Sequence, residues 1–110
     1  VPIIRPLKYR ILEKDGVSEQ KNGFMIDLSG GGLLFNAQEN LPSKTIILIQ
    51  TAVGSEDMEI PGLIIRSSKE DDKEMYRVSV QFHQISEKTR DKIIRYVFDL
   101  QREMRKKGLI

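Results

Sequence analysis

The chain has 110 residues, 39% of them hydrophobic and 31% charged, with a formal net charge of +2 and no cysteine. That composition suits one folded domain able to bury about two-thirds of its unfolded surface, and it argues against disorder. Without cysteine there are no disulfides, thiolate metal sites or cysteine nucleophiles. So small a net charge gives no ground for nucleic-acid or membrane binding, and no apolar run reaches the roughly 18–20 residues of a membrane span.

The chain opens on Val1 rather than Met, with no secretory signal, which fits a processed product as well as a portion of something longer. Its composition is compatible with a reducing cytoplasm, the expected location. The first fifteen residues read as a strand, with Leu7, Tyr9 and Ile11 alternating against Lys8, Arg10 and Leu12. Pro2 and Pro6 lack backbone donors, so this strand is expected to begin as an edge or an irregular piece. Asp15-Gly16 signals a turn. A second strand is expected from Gly23 to Leu28 and a third from Gly31 to Asn36. Thr45 to Ile49, apolar on both faces, reads as a central strand. A fifth runs from Met58 to Ser67, with Pro61 and Gly62 predicting a bulge or bend. Lys69 to Glu74 reads as a solvated hairpin tip. The sixth strand alternates most cleanly: Tyr76, Val78, Val80 and Phe82 against Arg77, Ser79, Gln81 and His83.

The period then changes. Ser86 is a good N-cap, and no Pro or Gly follows until Gly108, which predicts one long helix. Ile93, Val97, Leu100 and Met104 form its apolar stripe, widened by Ile94 and Phe98, and cations crowd its C-terminal turns. Six antiparallel strands and a terminal helix make a mainly β fold, a small barrel closed or flanked by the helix.

Chemistry-bearing residues are few. One histidine, His83, at the end of a strand offers no nucleophile–base pair or metal cluster, so no catalysis is expected. Two roles fit Arg66: pairing with a neighbouring acid, or offering a planar donor fork to a guanine edge or phosphate. The densest candidate is Asp27-Leu28-Ser29-Gly30-Gly31-Gly32, between two apolar runs. In an extended backbone Asp27 and Ser29 project together, roughly 6.5–7 Å apart, while Ile26 and Leu28 point to the core. The glycines permit positive φ or a close approach to the backbone. A ligand site and a sharp hairpin both fit this stretch.

Asp27, Ser29 and Gly32 match D/N-x-S-x-x-G, and the chain around them resembles the PilZ domain, a small barrel whose family binds cyclic di-GMP. The likeness extends through Arg77 to Phe82 and the helix ending Gln101 to Gly108, which are similar to the C-terminal domain of flagellar-brake (YcgR-like) proteins. Ser79 stands where many relatives have glycine. The family's second motif, R-x-x-x-R, is missing: four residues separate Arg5 and Arg10, and relatives carry the pair just before Val-Pro, which here is Val1-Pro2.

The resemblance implies that residues 1–110 are a PilZ domain, the C-terminal part of a longer chain whose arginine loop lies upstream. It implies a cyclic di-GMP receptor regulating flagellar motility or related surface behaviour, with Asp27, Ser29, Gly30, Gly31, Gly32 and Arg66 as the ligand-binding set. Asp27 and Ser29 would accept from the guanine N1–H and N2–H donors, and arginine forks would take O6, N7 and the phosphates. The ligand is cyclic di-GMP, with no cofactor or metal. The implied partners are flagellar motor or stator proteins, or an N-terminal YcgR-like domain, with no DNA or RNA. The alternative is a protein-interaction domain that binds no nucleotide.

Overall fold

The computed structural model describes residues 1–71 and 73–109; Asp72, in the charged hairpin tip, lies outside the described residues. Seven strands and one helix follow in order: β1 (Pro2–Glu13), β2 (Gly16–Val17), β3 (Lys21–Leu28), β4 (Gly32–Ala37), β5 (Ile46–Val53), β6 (Glu56–Lys69), β7 (Tyr76–Phe82) and α1 (Glu87–Lys106). Pairing runs β1-β3-β4-β7-β6-β5, all antiparallel, and β5 pairs back to β1, so six strands close a barrel. The two-residue β2 is an addition, pairing only with the far end of β1. Inside lie Leu7, Tyr9, Met25, Phe35, Ile47, Ile49, Ile60, Ile64 and Val78, all nearly inaccessible.

Proline placement follows from the missing N–H. β1 pairs with β3 from Pro2 onward but with β5 only over Lys8–Ile11, so its beginning is an edge on the β5 side. The β1–β5 ladder stops short of Pro6, which could not donate across it, and the Arg5 guanidinium donates to the Ala52 carbonyl at 3.3 Å instead. The bulge expected at Pro61–Gly62 is not there: both residues pair in unbroken register with β5. Gly62 serves packing, since a Cβ on it would lie 2.4 Å from Val80 Cγ1.

Register shifts do occur elsewhere: one between Pro2 and Arg5 at the irregular start of β1, and two bulges, in β3 and β6. Register shifts between Met25 and Asp27 in β3, and between Ile64 and Arg66 in β6. An extra residue reverses the inside–outside alternation beyond it. Met25 and Leu28 are therefore both buried, and Ile26, expected in the core, is only half-buried. Unbulged, Asp27 would oppose the buried Leu33 and Arg66 the buried Val78; the bulges pair them with Leu34 and Ser79 and turn both charges outward.

Ser86 caps α1 by accepting from the Thr89 amide at 3.1 Å. The helix ends where Gly108 turns left-handed (φ 71°), with Gly108 N donating to the Arg105 carbonyl and Leu109 N to the Met104 carbonyl. Ile93 is fully buried against the barrel, with Tyr96, Val97 and Leu100 packed beside it. The Arg5 guanidinium lies 5.6 Å from the Tyr96 ring centre, and Lys92 bridges to Glu56 at 3.0 Å. Ile94 and Phe98 do not widen this stripe: Phe98 is 59% exposed, and Ile94 rests on Gly30. At the other end of the barrel the buried Tyr9 donates to Glu39 at 3.0 Å; burial first, and then this carboxylate, push its hydroxyl well above the usual tyrosine range.

Candidate functional site

Because directly opposed residues share a face of an antiparallel sheet, the register itself assembles an outer row. Asp27 pairs with Leu34, Leu34 with Ser79, and Ser79 with Arg66. A carboxylate and a guanidinium thus stand on one surface, three strand spacings or ~14 Å apart.

Above this row is an open depression of about 540 Å³ whose walls include Asp27, Ser29, Gly31, Gly32, Leu34, Ile65, Ser79 and Gln81. Asp27 and Ser29 share it, as their alternation predicts. Arg66 does not line it; it stands at the far end of the row, beyond Ser79 and next to Ile65. Ile65 is the extra residue of the β6 bulge and is 47% exposed. Leu34, Ile65, Ser79 and Gln81 were not among the residues singled out from sequence. The outward alternation of β7 already places Ser79 and Gln81 on the exterior, but only the β4–β7 pairing brings them to Asp27.

Asp27 Oδ1 accepts from the Val1 nitrogen at 3.0 Å, and the same nitrogen donates to the Leu28 carbonyl at 2.6 Å. The start of the chain is thereby held against the depression. Asp27 remains 48% exposed and is free to change partner. The Ser29 hydroxyl donates to the Gly32 carbonyl at 3.1 Å and accepts from the Gly32 amide at 3.2 Å, which clamps the hairpin turn.

Of the two uses expected of the three glycines, positive φ and close approach, none shows positive φ, and close approach decides two of them. Gly32 answers to the barrel: a Cβ there would lie 2.0 Å from the Val80 carbonyl oxygen. At Gly30 it would meet Ile94 of α1 at 3.0 Å, so this residue seats the helix. Only at Gly31 is there nothing within 4 Å. Of the three, Gly31 offers open backbone to the depression.

A second cleft, of about 830 Å³, opens where β1 leaves β5, between Lys8, Phe24, Gln50 and Glu59. It contains none of the Asp27–Gly32 residues. Among the described residues, no group of three or more His, Asp or Glu side chains could hold a metal ion, and no helix is long and apolar enough to cross a membrane.

A closed six-stranded antiparallel barrel, an added two-residue strand and a C-terminal helix define a class of small helix-flanked barrels, here with a shallow polar depression at the β3–β4 turn. The PilZ domain model matches residues 5–99, and the chain belongs to that family. Its fold is that of the PilZ domain with c-di-GMP of YcgR from Escherichia coli, with a TM-score of 0.69 at 22% identity over 94% of this chain and 87% of that one. It is similar also to the PilZ domain of CeSA from a cellulose synthesizing bacterium, with a TM-score of 0.65 at 25% identity over 92% of this chain and 96% of that one. YcgR from Escherichia coli in complex with c-di-GMP gives a TM-score of 0.75 at 20% identity, with 98% of this chain covered but only 46% of the longer YcgR chain. No curated protein matches the chain.

Proposed function

We propose that this domain is a cyclic di-GMP receptor in which the depression between Asp27 and Ile65 takes a guanine. The observation that carries the reading is the juxtaposition of the D-x-S-x-x-G residues with the beginning of β1: Pro2 pairs with Asp27, and Leu28 N donates to the Val1 carbonyl at 2.9 Å. Residues preceding Val1 would leave the barrel at the rim of the depression. Cations carried there would stand over a ligand whose base lies against β4 and β7.

Each group has a chemical task. The Asp27 carboxylate accepts from guanine N1–H and N2–H, and the Ser29 hydroxyl, at the turn beside it, accepts a further amine hydrogen. Leu34 and Ile65 give the ring an apolar floor. Gly31 lets the ligand approach the backbone, and Arg66, outside the depression at the far end of the row, would meet only a part of the ligand that extends past Ile65. The two phosphates need charge that this surface does not supply, and bidentate arginines upstream of Val1 would provide it. Ligand binding would then order the upstream segment against the barrel and change a surface presented to another domain or to the flagellar motor. Control of motility is part of this proposal. Support for nucleotide binding comes from the family and from relatives solved with c-di-GMP.

The test is calorimetric titration of cyclic di-GMP into two forms of the protein, one beginning at Val1 and one extended through the preceding segment. The extended form is expected to bind with an enthalpy signature, and the short form weakly or not at all. No binding by the extended form would refute the receptor reading; tight binding by the short form would refute the assignment of phosphate capture to upstream residues.

A further inference from the structure

One flank of α1 carries a second repeat, beside the stripe that covers the barrel and touching it at Ile94, which rests on Gly30. Glu87, Asp91, Ile94, Phe98, Gln101 and Arg105 recur at spacings of four, three, four, three and four. That is the 3.5-residue period of a coiled-coil seam. Phe98 is 59% exposed at its centre, and a groove of about 580 Å³ runs along it between Asp91 and Arg105. The seam is acidic at its beginning, apolar in the middle and basic at its end. Among the described residues Glu87, Asp91 and Arg105 make no ion pair within the chain.

We infer that this seam pairs with the same seam of a second copy, the two helices running antiparallel. Residues equally far from a two-fold axis meet across it, each step along a helix being 1.5 Å. An axis midway between Ile94 and Phe98 sets each Ile94 against the Phe98 of the other copy. The same axis sets Asp91 against Gln101, an acceptor against an amide donor, and Glu87 against Arg105. Every position finds a complement twice. A parallel pair would instead stack Glu87 on Glu87 and Arg105 on Arg105. The charge order thus favours a second copy, and only in one direction. A single helix seam is smaller than the roughly 1,200–2,000 Å² that stable complexes bury, so the dimer is reversible and depends on concentration.

Sedimentation equilibrium of the 110-residue chain, from micromolar to millimolar protein, tests this. A monomer–dimer equilibrium is expected, lost in Phe98→Asp, whose exposed site leaves the fold intact by circular dichroism. Glu87→Arg and Arg105→Glu should each weaken the dimer by about 3–10-fold, since two symmetric exposed ion pairs are broken. The double variant Glu87→Arg/Arg105→Glu should return to within about threefold of the parent. A monomer at every concentration would hand this face to some other partner and end the inference. So would a dimer indifferent to Phe98→Asp, or a double variant no better than the single ones.

Discussion

Asp27→Ala, made in a chain that carries the residues preceding Val1, is expected to weaken cyclic di-GMP binding by about 100-fold or more, from the ~1.5–3 kcal/mol each hydrogen bond to a charged group contributes. The carboxylate is the group in the depression suited to two adjacent guanine donors at once. Removing it leaves both N1–H and N2–H unpaired as the base is desolvated. The fold should hardly notice, because the Asp27 side chain is 48% exposed and its one hydrogen bond among the described residues is to the Val1 nitrogen, while the backbone pairing of Asp27 is kept. Asp27→Asn keeps one acceptor oxygen and loses the charge, so a smaller loss of about 10-fold is expected. Calorimetry gives the affinities and thermal unfolding verifies that stability is unchanged. Equal binding by Asp27→Ala and the parent would remove Asp27 from the site.

The second large effect lies at the first residue of β4 and has a different physical origin. Gly32→Ala is expected to destabilise the domain by about 3 kcal/mol or more, lowering Tm by about 12 °C or more. A methyl group on Gly32 would lie 2.0 Å from the Val80 carbonyl oxygen, so β4 and β7 would have to part where Phe82 N also donates to the Gly31 carbonyl. Gly31→Ala next to it meets nothing within 4 Å and has no left-handed φ, so Tm should be unchanged or slightly raised. In the extended chain, however, Gly31→Ala places its methyl group where the ligand approaches, and affinity should fall while stability does not. Thermal unfolding and titration of both variants separate the two roles. A Gly31→Ala protein as unstable as Gly32→Ala would show that the turn is strained in a way these contacts do not reveal.

This contrast shows what the sequence could and could not convey. The alternation from Tyr76 to Phe82, the Ser86 cap and the Gly108 stop are local signals, and the barrel and its helix were legible from them. So was the outward pairing of Asp27 with Ser29. The two bulges were not, because a register shift is fixed by both strands at once; nothing in Met25-Ile26-Asp27 says that Ile26 will be the residue skipped. Pro61 and Gly62 drew attention to the wrong part of β6 for the same reason. Pro61 fits the β5 ladder as it stands, and the irregularity falls at Ile65, an unremarked isoleucine. The glycines were legible as special but not individually. Which of them faces a strand, a helix or open space depends on Val80 and Ile94, far along the chain. Phe98 illustrates the limit of periodicity: its spacing fits the apolar stripe, and only the packing of Ile93, Val97 and Leu100 shows that it points away from the barrel. Arg66 reached the outer row by a bulge no local pattern announces.

Binding of the nucleotide in one depression, at the row from Asp27 to Arg66, can be observed residue by residue. Amide chemical-shift mapping tests it most directly, with cyclic di-GMP titrated into the isotope-labelled chain extended upstream of Val1. The account predicts the largest shifts at Asp27, Ser29, Gly31, Leu34, Ile65, Ser79 and Gln81, with new ordered signals from the preceding segment. Shifts centred instead on Lys8, Phe24 and Gln50, in the cleft between β1 and β5, would contradict it.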